Sequence, residues 1–331
     1  MQKAAIVILN YNGVAQLRKF IPSVVSFSSF DIVVIDNAST DASLDFLRKN
    51  FPQIKLEQLP ENLGFAGGYT KGLGNLRGRY EYYILLNSDV EVTPLWDSEL
   101  ITWLENNPEV VAVQPKILKY DQKDFFEHAG AAGGFLDELG YPFCRGRIFE
   151  TLESDKGQYE EDIRVDWTSG ACMAVRSEMF HLFGGFDPLF FSHMEEIDLC
   201  WRWRNHGYPL YCLPKVQVFH VGGATLSPTH PRKTFLNFRN SLFLLRKNLD
   251  KWEYRKIYLK RILLDLLAAF VFLLRGLPSH SKAVIKAHIG FHKFKNKLHN
   301  SGKKSKKIGT MGVSSILWEY YLLGKKKFSE I

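Results

Sequence analysis

The chain of 331 residues is long enough to bury a full core, and its 46% hydrophobic and 24% charged residues are the proportions of an ordinary globular protein. Its four cysteines, Cys144, Cys172, Cys200 and Cys212, are widely spaced with no CxxC pair; this argues against a zinc site or a disulfide framework and predicts a reduced, cytosolic setting. The net charge of +8 is unevenly spread: residues 231–331 hold 23 Lys and Arg against 5 Asp and Glu, so a body of balance −10 carries a tail of balance +18.

The opening MQKAAIVILNYNG lacks the apolar run and cleavage site of a signal peptide and is read as a strand that starts the fold at once. AAIVIL (4–9), DIVVID (31–36), IKLEQL (54–59), YYILL (82–86) and VVAVQ (110–114) are strands by their Val and Ile content. Helical patterns lie between them near 14–27, 41–50, 66–77 and 96–106. This alternation predicts an α/β fold with a mostly parallel central sheet flanked by helices. Ligands in such sheets sit at the carboxyl ends of the strands, where the chain places Asn10–Asn12, Asp36–Asp41 and Asn87–Asp89.

Residues 120–165 are irregular and rich in Gly and charge, which predicts a long loop or small insertion over the site. Order returns with a strand near 166–175, a helix at 176–183, the turn GGFDP, a helix at about 195–206 and a strand at 215–220. From Lys233 the pattern is helical, so a catalytic domain over 1–230 is followed by a helical, basic C-terminal region over 231–331.

The most apolar run there, ILLDLLAAFVFLL (262–274), has 13 residues, contains Asp265 and is bordered by Lys260, Arg261 and Arg275. A span needs about 20 apolar residues. An interfacial helix on a membrane surface is therefore expected, with packing on the main domain as the alternative. A basic tail suits either nucleic acid or an anionic leaflet. Ile, Phe and Leu interleaved with Lys and His in KAVIKAHIGFHKFKNKLHNSGKKSKK favour the leaflet, and no nucleic-acid partner is expected.

Carboxylates are costly to bury, so Glu195, Glu196 and Asp198 in FFSHMEEIDLCWR suggest a cleft with a task. One of them, ionised and aimed at a hydroxyl, could act as a general base. The competing reading is a helix N-terminus that favours negative charge. Asp36 and Asn37, ending the second strand, can pair with a base edge or a ribose, whereas Ser39 or Asp41 caps the next helix. ENLGFAGGYTKG (61–72) offers glycines and a helix N-terminus for a phosphate, but matches neither GxGxxG nor GxxxxGK[ST]. Asp89 could hold Mg²⁺ or Mn²⁺ against a diphosphate or simply begin a turn. His220 could be a second ligand, with Gly222 and Gly223 admitting close backbone approach, or a structural strand-end histidine. Arg239, beside Asn240, could bring a cation to a diphosphate or face solvent.

The order of these motifs resembles that of family 2 glycosyltransferases with the GT-A fold, in particular their rhamnosyltransferase-like bacterial branch. ILNYNG, VVIDNASTD, ENLGFAGG, LLNSDV, GGFDPLFFSHMEEIDLCWR and FHVGGATL carry the resemblance over about residues 4–245. It implies that Asn10, Asn12 and Asp36 hold the donor nucleotide and that Asn62 and Gly64 line its pocket. Asp89 matches the last position of the family's DXD-type metal motif, whose first position is Asn87 here. Glu196 aligns with the expected base, Glu195 being the alternative, and His220 with a metal ligand. Asp198, Trp167 and Arg239 are further candidates for acceptor or diphosphate contacts. The QxxRW motif of processive synthases is absent, so single transfers are expected.

The resemblance implies an inverting transfer from a nucleotide-diphosphate sugar, such as dTDP-rhamnose or a UDP-sugar, to a glycan or polyprenyl-diphosphate-linked hydroxyl in cell-surface polysaccharide synthesis. Asp89 and His220 would hold the divalent ion, and the enzyme would sit peripherally on the inner face of the cytoplasmic membrane. A polyprenyl-phosphate sugar synthase and a non-catalytic nucleotide-sugar-binding protein are the alternatives.

Overall fold

A computed structural model describes residues 1–128, 130–222, 230–298 and 302–331. The chain begins β1 (Gln2–Asn10), α1 (Val14–Phe27), β2 (Asp31–Asp36), α2 (Ser43–Asn50), β3 (Lys55–Gln58), α3 (Gly64–Asn75) and β4 (Tyr80–Asn87). In the sheet these strands run β3-β2-β1-β4, all parallel. β1 is apolar on both faces because helices cover both, the signature of a central parallel strand. α1 shows how they do so: Leu17, Phe20, Ile21 and Val24 recur at helical spacing and are buried. Gly72 serves the same closeness on α3, since a Cβ there would stand 2.4 Å from Ile35 of β2.

Beyond β4 the sheet becomes mixed. β5 (Val90–Val92) and α4 (Trp96–Asn106) lead to β6 (Ala112–Lys119). That strand runs farther than its apolar stretch because buried Lys116, in mid-strand, pairs with Asp155 at 2.6 Å and Glu160 at 2.5 Å. Its charge partners come from another part of the chain, where local pattern cannot see them.

Residues 120–165, expected to be irregular, contain a four-stranded antiparallel sheet of β7 (Gly134–Leu136), β8 (Pro142–Cys144), β9 (Arg147–Ile148) and β10 (Thr151–Leu152). These strands are only two or three residues long, too short for a legible alternation. β11 (Ile163–Arg164) then joins the edge of the main sheet. β12 (Cys172–Arg176) lies antiparallel between β4 and β6. α5 (Ser177–Leu182), α6 (Glu195–Asn205) and β13 (Leu210–His220) complete this part. β13 starts earlier than expected, and its register shifts between Leu213 and Gln217, around Pro214.

The C-terminal region is α7 (Pro231–Asn248), α8 (Lys251–Leu274) and α9 (Pro278–Phe294), followed by a tail that returns to the body. Asp166 accepts from the backbone of Leu136 and Thr310, Asp137 accepts from Ile316, and Phe328 packs against Phe135 and Phe143. One core cluster thus contains Ala5, Leu244, Ile316 and Tyr320 together. Among the described residues no helix is long and apolar enough to cross a membrane.

Candidate active site

The order β2-β1-β4 places the topological switch beside β1, so the crevice opens at the carboxyl ends of β1 and β4. Asn10 ends β1; its amide donates to Asp36 Oδ1 and Ser39 Oγ, each at 3.0 Å. Its Oδ1 is buried with no partner among the described residues. Asn12, in the left-handed region at φ 51°, accepts from the backbone of Thr40 and Asp41. Asp36 Oδ2 accepts from the Ser39 backbone. These residues, separate in sequence, form one polar lattice that fixes the mouth of the crevice.

Asn37 extends it. Its amide donates to Asn62 Oδ1 and the Gly64 carbonyl, each at 3.0 Å, and its Oδ1 accepts from Leu63. Gly64 has φ 70°, and a Cβ there would stand 2.6 Å from the Phe191 ring and 2.8 Å from its carbonyl oxygen. That carbonyl accepts from the first amides of α3, at Phe65 and Ala66. The α3 N-terminus is therefore joined to the loop that precedes α6.

A second cluster forms where the turn after β4 meets the end of β13. His220 Nε2 lies 3.1 Å from Asp89 Oδ1 and 3.3 Å from the Asn87 amide, while Nδ1 lies 3.0 Å from Glu127 Oε2. Burial alone would lower the imidazole's pKa, but its hydrogen bonds to the two carboxylates hold it up at about 10. Asp89 and His220 are 131 residues apart in sequence and in contact here. Glu127 escaped sequence reading because nothing in FFEHAG points to an imidazole on a distant strand. Of the expected glycine pair beside His220, Gly222 has φ 71° and backs onto Glu127; Gly223 lies outside the described residues.

Does this cluster suit a divalent ion? Among the described residues no group of three His, Cys, Asp or Glu is arranged to hold one. The donor chemistry nevertheless fits. Glu127 fixes Nδ1, as carboxylates do behind metal-ligating histidines, leaving Nε2 aimed at an Asp oxygen. Two protein ligands are enough where substrate phosphates supply the rest.

The third cluster is the N-terminus of α6. Phe191, His193 and Met194 all have positive φ, a strained entry held from α7. The Asn240 amide donates to the carbonyls of Phe190, Ser192 and His193, and Arg239 to those of Leu189 and Phe190. Arg239 is thus spent on the loop, and burial beside Arg232 lowers its pKa to about 10. Asp198 accepts from Arg202, Lys247 and Asn248; burial opposes its charge, but the two cations hold its pKa low. Trp167 lies in the core, its indole donating to the Phe135 carbonyl.

Glu195 and Glu196 differ from Asp198 in meeting no cation among the described residues. Glu195 is buried, and burial together with the Glu196 charge pushes it well above the usual carboxylate range. Glu196 is partly exposed, and burial of the rest pushes it up to about 7. Its Oε2 has no partner among the described residues. Its Cβ lies next to Gly170, whose neighbour Ala171 accepts from the Asn87 backbone. One residue step therefore links the α6 carboxylates to the end of β4. Lys233 and Arg147, near enough to Glu127 to act on the same groups, add positive charge to this rim.

Known proteins share both sequence and architecture with this chain. Residues 5–182, more than half of it, match the glycosyl transferase family 2 profile. The N-acetylglucosaminyl-diphospho-decaprenol L-rhamnosyltransferase of Mycobacterium tuberculosis is 25% identical over 230 residues, covering 65% of this chain and 75% of that protein. Rhamnosyltransferase WbbL of Escherichia coli K12 is 30% identical over 240 residues, covering 65% and 89%. Among solved structures, GalNAc-T7 with UDP, GalNAc and Mn²⁺ superposes with a TM-score of 0.58 at 16% identity, covering 98% of this chain, which spans 57% of that one. Staphylococcus aureus TarS superposes with a TM-score of 0.52 at 15% identity, covering 79% of this chain and 43% of its own. The fold is that of the GT-A glycosyltransferases, and the chain belongs to glycosyl transferase family 2.

Proposed function

We infer that this glycosyltransferase moves a sugar, with inversion, from a nucleotide-diphosphate donor to a hydroxyl of a lipid-linked glycan at the cytoplasmic face of a membrane. Its similarity to two rhamnosyltransferases, one named for a diphospho-decaprenol acceptor, supports rhamnose as the sugar and a polyprenyl diphosphate as the carrier. The observation that carries the reading is Glu196: a carboxylate at the N-terminus of α6 whose buried Oε2 has no partner among the described residues, next to Gly170 and so one residue step from the end of β4.

In this reading the Asn10–Asn12–Asp36 lattice seats the nucleoside, and Asn62 and Gly64 shape the wall of its pocket. Asp89 and His220 would hold a divalent cation, which when bound neutralises charge growing on the leaving diphosphate. Glu196 accepts the proton of the acceptor hydroxyl as that oxygen attacks the anomeric carbon and the bond to the diphosphate breaks. Glu195 stands beside it, pushed well above the usual carboxylate range by burial and by the Glu196 charge. Asp198 and Arg239 contribute by holding α6 and its entry loop in position, while Trp167 packs in the core.

A thermal-shift screen of nucleotide sugars with Mn²⁺, followed by a transfer assay with the stabilising donor, tests the proposal. A selective donor whose sugar reaches a polyprenyl-diphosphate-linked glycan is the expected result. Donor binding without transfer by the wild type would overturn it.

A further inference from the structure

α8 is built inside out. Its buried positions, Ile257, Arg261, Asp265 and Ala269, recur every four residues and carry a charged pair at their centre. Arg261 lies 3.8 Å above the Tyr141 ring and donates to Ser241 and the Leu139 carbonyl; Asp265 lies 3.0 Å from His288 Nε2. The outward face is apolar instead. Leu259, Leu263, Leu267, Phe270 and Leu274 are between 56% and 72% exposed. A helix in water places its side chains the other way round.

A second exposed apolar group lies in the C-terminal tail, at Trp318, Tyr321, Leu322 and Leu323. Exposed cations accompany these apolar groups: Arg255, Lys256 and Lys260 in the first half of α8, Arg275 just past its end, and Lys326 and Lys327 in the tail. From Leu259 to Leu274 the helix covers roughly 23 Å at 1.5 Å per residue, short of a bilayer core.

We propose that the outward face of α8, with the Trp318–Leu323 turn, docks the enzyme in the plane of an anionic lipid bilayer beside its acceptor. An apolar strip sinks to the acyl boundary while the flanking Lys and Arg meet phosphate headgroups. A protein partner would bury the leucines equally well, but the accompanying cations select a surface that is both apolar and negatively charged. This rests on the reading that the acceptor is lipid-borne, and specifies which surface meets the lipid.

Co-sedimentation of the full chain with phosphatidylglycerol–phosphatidylcholine vesicles, without any substrate, tests it. Wild type is expected to bind, with affinity falling roughly five-fold for each of Lys256→Ser and Lys260→Ser. Leu263→Glu with Phe270→Glu should lower it about a hundred-fold or more. Exposed Trp318 should be quenched by brominated lipid in the wild type, a readout that needs no variant. Transfer to a water-soluble acceptor fragment should be unchanged in all variants; if wild type binds vesicles but transfers to no acceptor, the glycosyl-transfer reading fails while the docking face stands. Equal binding by the Glu double variant, absence of wild-type binding, or lipid-free dimers dissolved by the same substitutions would overturn the proposal.

Discussion

Replacing Glu196 with glutamine separates catalysis from stability, because the same carboxylate affects both with opposite sign. Burial holds this group at about 7, against the ordinary 4.5. If ionised Glu196 is the base, about a tenth of the enzyme is competent at pH 6 and about nine-tenths at pH 8, so kcat/KM should rise about tenfold between them. Glu196→Gln should lose roughly 100- to 10,000-fold in kcat with the donor affinity kept.

Stability moves the other way. Below 4.5 the carboxyl is protonated in folded and unfolded chains alike, and the substitution is neutral. Between 4.5 and 7 the unfolded chain ionises while the folded one does not, and above 7 the folded enzyme bears the whole cost. That shift corresponds to ~3 kcal/mol. Solvent reaches part of the side chain, so about 2 kcal/mol is the expected gain of the variant at pH 8. Initial rates of nucleoside-diphosphate release from pH 5.5 to 8.5, with melts at pH 4.5 and 8, measure both effects. A flat wild-type profile, or wild-type turnover by the glutamine variant, would refute the reasoning.

The other clusters give sharper single outcomes. Calorimetry of nucleoside-diphosphate binding should show a gain from Mn²⁺ in the wild type that Asp89→Asn and His220→Ala abolish; an equal gain in both variants would remove these residues from the cation site. Lys247→Met leaves Asp187 and Asp198 without their shared cation, and denaturant melts should show a loss of about 3–5 kcal/mol. Gly64→Ala forces a side chain into the left-handed region against Phe191, costing at least ~2 kcal/mol in the same assay. Asn240→Ala removes the donor to three carbonyls of the strained loop. It should lower kcat more than donor affinity, with Asn240→Gln failing to restore it because the longer amide cannot reach the same three oxygens.

Much of this molecule is legible in its sequence because it is written in short-range repeats. β1, α1, β2 and β4 fall where Val–Ile runs and helical spacing put them, and parallel pairing then dictates that Asn10, Asp36 and Asn87 share one edge. The insertion sheet is not legible, since strands of two or three residues carry no period. Nor is the length of β6, whose Lys116 is tolerable only beside Asp155 and Glu160. A resemblance in motif order points to His220; its partner Glu127 comes only from the fold.

Local pattern was enough for the strand–helix alternation, the carboxyl-end turns and the basic, apolar C-terminal region, since each depends on neighbours within a few residues. Which carboxylates meet a cation and which are left without one depended on the folded chain. Asp198 meets Lys247 and Arg202, Glu196 meets neither, and a buried charge is made ordinary or reactive by what reaches it from elsewhere in the chain.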